Sequence, residues 1–182
     1  MSKNLNAESE PHSLERPHFF SGKLITSDDL ALEQQYFLEK LKRHNRNLHG
    51  FGIVSGLKVT TDSGRIAVAA GMALDCQGNE LVIQTVQTLS PRATGESWRT
   101  AYVNIRYAED SVGATVVSEA GGSRIQESFE IVIGQENCNR GHRHVRARWL
   151  ACGEPHALTI AKLKHNSQGW RVDRSYRPPT IK

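Results

Sequence analysis

The stretch Arg43–Val59, RHNRNLHGFGIVSGLKV, holds the point at which the chain changes period. Upstream of it large apolar residues recur three and four apart. Downstream they fall in short β-branched runs, so a helix hands over to strands here. Gly50 stands at the junction, and glycine readily takes the left-handed conformation that ends helices. His44 and His49 pose a choice between a ligand pair and a structural corner. Five residues of α-helix turn through about 500°, which sends the two rings to different sides, and paired ligands from one helix are expected four apart. The corner is therefore read as structural. His49 serves as a local cap or packing residue, and Asn45 ties the helix end to the strand beginning at Gly52.

Working back from the corner, Leu30, Gln34, Phe37, Leu41, His44 and Leu48 form one mostly apolar helical face. Thr26 is placed as N-cap, with Asp29 three residues on to complete a shortened capping box. Acidic residues in the first turn and Lys42, Arg43 and Arg46 near the last suit the helix dipole. The pattern predicts one helix over residues 27 to 48.

Working forward, GIVSGLKVTT, RIAVAAGMAL and LVIQTV read as successive strands separated by small turn residues, with Gly56 inside the first and Gly71 at a bend in the second. AYVNIRYA alternates, ATVVSE and SFEIVIG add strands, and HALTIAKLKHN with GWRVDRSY form a closing hairpin. Seven or eight antiparallel strands follow one long N-terminal helix. The expected fold is mainly β, α+β in class: a small antiparallel sandwich or barrel packed against the helix. Residues 1–16 read as a flexible N-terminal arm, 17–50 as a strand or loop and the helix, and 51–182 as the β domain.

The chain has 182 residues, 38% of them hydrophobic and 23% charged, with a net charge of +4. That composition suits a soluble single domain with a real core. No apolar run approaches the roughly 18 residues needed to span a bilayer. The opening MSKNLNAESEPHSLERP lacks the apolar core of a signal peptide, which points to the cytoplasm.

Chemistry-bearing signals are few. The sequence has no phosphate-binding Gly-Lys-Ser/Thr loop, no Gly-x-Ser-x-Gly elbow and no His-Glu-x-x-His helix, and no catalytic residue is assigned. Glu109 and Asp110 are attributed to a turn. The sharpest cluster is CNRGHRHVRARWLACGEPH, in which Cys138, His142, His144, Cys152 and His156 carry the thiolate and imidazole donors of a structural zinc. Its spacing matches no common zinc module, and four protein ligands would leave no open position for catalysis. Cys76 is read as a lone thiol. Arg140, Arg143, Arg146 and Arg148 fall in nine residues of the same stretch and make nucleic acid a rival partner. A carbohydrate-active or hydrolytic β domain is the second rival, and it requires a pocket of convergent carboxylates.

RPHFFSGKLITSDDLALEQQYFLEKLKRHNRNLHGFGIVSGLKV, from Arg16 to Val59, resembles the opening of a group of bacterial proteins with the form YF-x-GKLLTAEDL…EQ-x-YF…RRLHNRxLHGxGVVxGLEV. That group is associated with gene clusters for contractile injection systems, which are phage-tail-like particles. The likeness is carried by Phe20, Gly22, Lys23, Thr26, Asp29, Glu33, Gln34, the HNR-x-LHG run from His44 to Gly50, and Gly52, Gly56 and Val59. IAVAAGMALDCQGNELVI is similar to a phrase of tail and baseplate proteins, and SRIQESFEIVI and LTIAKL to later blocks of the group. The likeness stops at residues 138–156.

The resemblance implies a structural or adaptor component of such a particle, at the baseplate or a fibre attachment. The expected partners are other proteins of the particle and further copies of this chain, in an assembly built in the cytoplasm. Leu14, Phe19 and Phe20, at the end of a polar arm, are the expected docking anchors.

Overall fold

The structure is a computed structural model that describes residues 14–62, 64–90, 98–113, 124–140 and 156–181. Helix α1 spans Ser27–His44, and a π turn, Asn45–His49, continues it. Thr26 Oγ1 accepts the Asp29 amide at 3.2 Å, and the Asp29 carboxylate accepts the Thr26 amide at 3.1 Å, so both halves of the capping box are made. Lys23 Nζ donates to the same carboxylate at 2.7 Å. That bond, followed by the Thr26 amide, holds the Asp29 carboxyl below its ordinary range. The helix is thus not α throughout. The Gly50 amide donates to the Asn45 carbonyl at 3.0 Å, five residues back, which is the bond of a π turn.

Ten strands follow among the described residues: β1 (Gly52–Gly56), β2 (Val59–Asp62), β3 (Arg65–Val68), β4 (Gly71–Leu74), β5 (Glu80–Ile83), β6 (Gln87–Leu89), β7 (Thr100–Val112), β8 (Arg124–Gly134), β9 (Ala157–Asn166) and β10 (Gly169–Val172). They form sheets ordered β1-β4-β5, β2-β3-β6 and β10-β9-β7-β8, and every strand pairing is antiparallel. The sheets curl into a half-barrel, so the class is mainly β with one N-terminal helix.

The strand count exceeds the expectation because two runs bend and a short further strand, β6, follows the third. Residues 52–62 break at Gly56 and Leu57, whose φ values are +65° and +54°. The facing run breaks at Ala69 and Ala70. Pairing continues across the bend through Leu57 N to Ala70 O (3.2 Å) and Ala69 N to Lys58 O (2.9 Å). Each half then joins a different sheet, the way strands turn corners in orthogonal packings. Backbone approach at the bend excludes a side chain on residue 56: a Cβ there would lie 2.1 Å from Ala70 O. Of the run read as LVIQTV only the start is strand, in β5, and β6 follows it at Gln87–Leu89, where no strand was expected. ATVVSE lies outside the described residues.

Leu57, Ile66, Val68, Leu81 and Ile83 from the bent sheets meet Val103, Ile105, Leu158 and Leu163 from the four-stranded sheet. Each such side chain, fully buried, contributes about 1.5–3 kcal/mol, so the β domain holds a core of its own. β7 lies between β9 and β8, and Ala101 to Ile105 are buried on both faces rather than one. Val103 and Ile105 enter the core, while the Tyr176 ring covers Tyr102 at 6.2 Å. By contrast no residue of α1 is buried. The helix meets the β domain through its C-terminal end instead of lying along it.

Candidate functional site

That end is a small polar joint. Asn45 is buried, and its Nδ2 donates to the Gly78 carbonyl at 3.0 Å. Arg46 Nη1 donates to the Gln77 carbonyl at 2.8 Å, and Lys42 Nζ stands 5.9 Å from the Tyr107 ring centroid. Asn45 therefore ties the helix to the β4–β5 turn, not to the strand at Gly52 as the sequence suggested. Gly52 holds a different contact. Ile53 N donates to the Pro179 carbonyl at 2.9 Å, and a Cβ on Gly52 would lie 2.8 Å from that carbonyl.

The rings of His44 and His49 lie 5.3 Å apart, on one side of the helix end. The expectation of opposite sides fails because a π turn holds more residues than an α turn and brings positions five apart into line. Gly50 has the positive φ expected of it, +77°, but its ψ of −147° lies outside the left-handed helical region. Both histidines are exposed. Among the described residues, no three His, Cys, Asp or Glu side chains gather closely enough to hold a metal.

The β4–β5 turn also carries Cys76, and it is not a lone thiol. Its Sγ lies 3.4 Å from His156 Nδ1, a residue eighty positions away at the start of β9. Cys138 sits elsewhere, half-buried, with its amide donating to Thr159 Oγ1 at 2.8 Å. Burial first, and then the Glu136 charge, push its thiol pKa up, the condition of a neutral structural thiol. Of the remaining zinc candidates, His142, His144 and Cys152 lie outside the described residues. Sequence reasoning missed Cys76 because nothing in DCQGNE points to a partner so far along the chain.

Residues 135–140 are anchored by a buried network. Thr159 Oγ1 donates to Asn104 Oδ1 at 2.5 Å, and Asn104 Nδ2 donates to the Glu136 carbonyl at 3.1 Å. Asn139 accepts from Thr159 N at 3.0 Å and donates to Thr159 O at 2.7 Å. Arg140 follows, exposed; Arg143, Arg146 and Arg148 lie outside the described residues. A cleft beside this network is lined by Asn104, Arg106, Val132, Glu136, Cys138 and Ala157 among others, with Glu136 the one carboxylate among its described lining residues. Glu109 and Asp110 belong to β7 and not to a turn. Tyr107 Oη donates to Glu109 at 2.9 Å and Glu127 at 3.1 Å, and burial, then the Glu109 bond, push its phenol pKa up.

Among the described residues, the exposed large apolar side chains concentrate toward the N-terminus. Leu14 is half-buried, while Phe19 and Phe20 are exposed. Leu24 is 83% exposed, and the helical face continues it with Leu30, Phe37, Leu41 and Leu48, all about half exposed or more. The face was legible in the sequence; that its side chains stay exposed beside the β domain was not.

No protein-family model matches the sequence, and no curated protein matches it. Solved structures do. A chain of the TssK-TssF-TssG baseplate subcomplex of the type VI secretion system, seen by cryo-electron microscopy, aligns with a TM-score of 0.57 at 12% identity over 92% of this chain and 62% of that one. The crystal structure of TssK aligns with a TM-score of 0.54 at 13% identity, again over 92% of this chain but 42% of the other. At these identities the likeness is one of fold. This chain spans less than two thirds of either structure's chain. No described helix is long and apolar enough to cross a membrane.

Proposed function

We propose that this chain is a non-enzymatic adaptor in a contractile injection or phage-tail-like particle, placed at the baseplate or a fibre attachment. The observation that carries the reading is α1: an amphipathic, capped helix without one buried residue, attached at one end to a domain with a complete core of its own. A contiguous apolar surface of this kind marks an interaction site. It runs from Phe19 through Leu48, and its occupant is a neighbouring protein of the particle. The fold likeness to a chain of a baseplate subcomplex supports the same setting. On this reading residues 1–16 are an arm that orders on assembly, 17–50 the docking element, and 51–182 the rigid body it carries. Several copies per particle follow from cyclic symmetry.

The test is to locate the chain in purified particles by cryo-electron microscopy, with α1 expected against a different polypeptide. Intact particles that lack the chain would refute the assignment.

A further inference from the structure

The open face of α1 repeats as a heptad, and its polar flank has a direction. Leu30 and Phe37 stand seven apart, as do Gln34 and Leu41, and the two sets alternate along the helix at spacings of four and three. That is the seam of a two-helix coiled coil. Leu30, Phe37 and Leu41 on it are exposed, with Leu38 exposed beside them. Glu33 and Lys40, also seven apart, lie together on one flank of the seam. Among the described residues neither enters an ion pair, and Lys40 Nζ stands 5.5 Å from the Tyr36 ring centroid.

This flank complements itself in one orientation only. A two-fold axis crossing the helix between Gln35 and Tyr36 lays a second copy of α1 antiparallel to the first. Leu30 then faces Leu41 of the second copy and Gln34 faces its Phe37, each contact being made twice. Glu33 falls beside Lys40 of the second copy, and Lys40 beside its Glu33. Helix ends of opposite dipole sign become neighbours as well, with Asp28 and Asp29 in the first turn of one and Lys42 and Arg43 in the last turn of the other. A parallel pair brings like ends together and sets Glu33 and Lys40 against Leu38 and Asn45 instead.

We infer that the free chain, before it enters a particle, forms a two-fold dimer in which α1 pairs antiparallel with α1 of a second copy. The inference builds on the reading of α1 as an interaction surface, and it concerns the chain outside the particle. Pairing takes the apolar seam out of water. The seam within α1 spans only about two heptads and includes the polar Gln34, so the interface is small and the dimer reversible. A reversible cover suits a face that must later be handed to a different neighbour. The core of the described residues lies in the β domain, so the two copies part without unfolding it.

The experiment is sedimentation equilibrium of the full chain over a range of concentrations. A monomer–dimer equilibrium is expected, and added salt should weaken it. Glu33→Lys and Lys40→Glu should each weaken the dimer about tenfold, because each turns both flank attractions into repulsions. The double variant exchanges the signs and should dimerise within about twofold of the parent. Should a single reversal lose helix by circular dichroism, Phe37→Ala decides instead: it keeps every charge and should dissociate the dimer. A parent that stays monomeric at every concentration, single reversals without effect, a double variant no tighter than either single one, or a Phe37→Ala variant that dimerises as the parent does each overturns the inference. Whether purified particles contain the chain is measured separately, so the adaptor reading stands or falls apart from it.

Discussion

Asn45 and Gly78 join the helix to the β domain: the buried Asn45 amide donates to the Gly78 carbonyl at 3.0 Å. Gly78 has φ +87°, and a Cβ there would sit 2.2 Å from Lys42 O. Backbone strain and collision act together at this position. Gly78→Ala is expected to cost about 1–3 kcal/mol and to free the helix end. Asn45→Ala, which strands a carbonyl, should cost about 1–2 kcal/mol. Urea titration gives the size of each loss. Amide exchange should quicken from residue 42 to 49 while the core strands keep their protection, and uniform quickening would count against a local joint.

Gly50 separates the π turn from β1 at φ +77° and ψ −147°, a region essentially reserved for glycine. Among the described residues, no atom beyond its chain neighbours lies within 4 Å of a Cβ placed there, so the cost of a substitution falls on the backbone. Gly50→Val should therefore destabilise the fold by about 1–3 kcal/mol through backbone strain alone. Gly50→Ala should carry much of the same loss. An alanine variant as stable as the parent would show that the chain relaxes out of this conformation freely.

Local signals carried the reading wherever neighbours in sequence decide the structure. Thr26 and Asp29 cap the helix three residues apart, and the closing hairpin turns across Ser167 and Gln168. Long-range partners decided the rest. The bend at Leu57 exists because Ala70 passes close by, and Cys76 gains meaning only when β9 brings His156 to it. The His44–His49 error has another source. The prediction assumed 3.6 residues per turn, and the π turn that aligns the two rings leaves no periodic trace in five residues. The apolar helix face was equally visible in sequence and structure, but periodicity cannot say whether a core or a partner covers it.

Asp173 anchors the end of the closing hairpin. Ser175 Oγ donates to its carboxylate at 2.7 Å, and Lys164 Nζ stands at 3.0 Å. Ser175 first, and then Lys164, hold the Asp173 carboxyl well below the usual carboxylate range. A carboxylate depressed in the folded state stabilises the fold above its unfolded pKa, and that contribution fades as pH falls towards the folded value. Asp173→Asn is thus expected to melt below the parent at pH 7. The difference should shrink as pH drops beneath about 4, where the unfolded parent takes up a proton. Melting curves from pH 7 to pH 3 test this, and a gap independent of pH would assign the loss to packing.

Phe37 is 57% exposed on the open face of α1, two turns after Leu30 and one turn before Leu41. If that face is where the particle holds the chain, its substitution should separate assembly from folding. Surface changes away from packed features alter stability by about 0.5 kcal/mol or less, so Phe37→Glu should melt with the parent. Burying a carboxylate against a neighbour's apolar groove is far more costly, and truncating a central aromatic anchor alone commonly removes about 2 kcal/mol or more of binding energy. Incorporation of Phe37→Glu into particles should therefore fall at least about tenfold. Deletion of residues 1–15 should also weaken incorporation while leaving the β domain folded, because the core formed by the described residues is built from the β domain itself. The measurement is quantitative blotting of purified particles for each variant, beside melting curves of the same proteins. Deletion without loss would move the docking role from the arm to the helix. Normal incorporation of Phe37→Glu and of the deletion together would remove the N-terminal element as the docking surface.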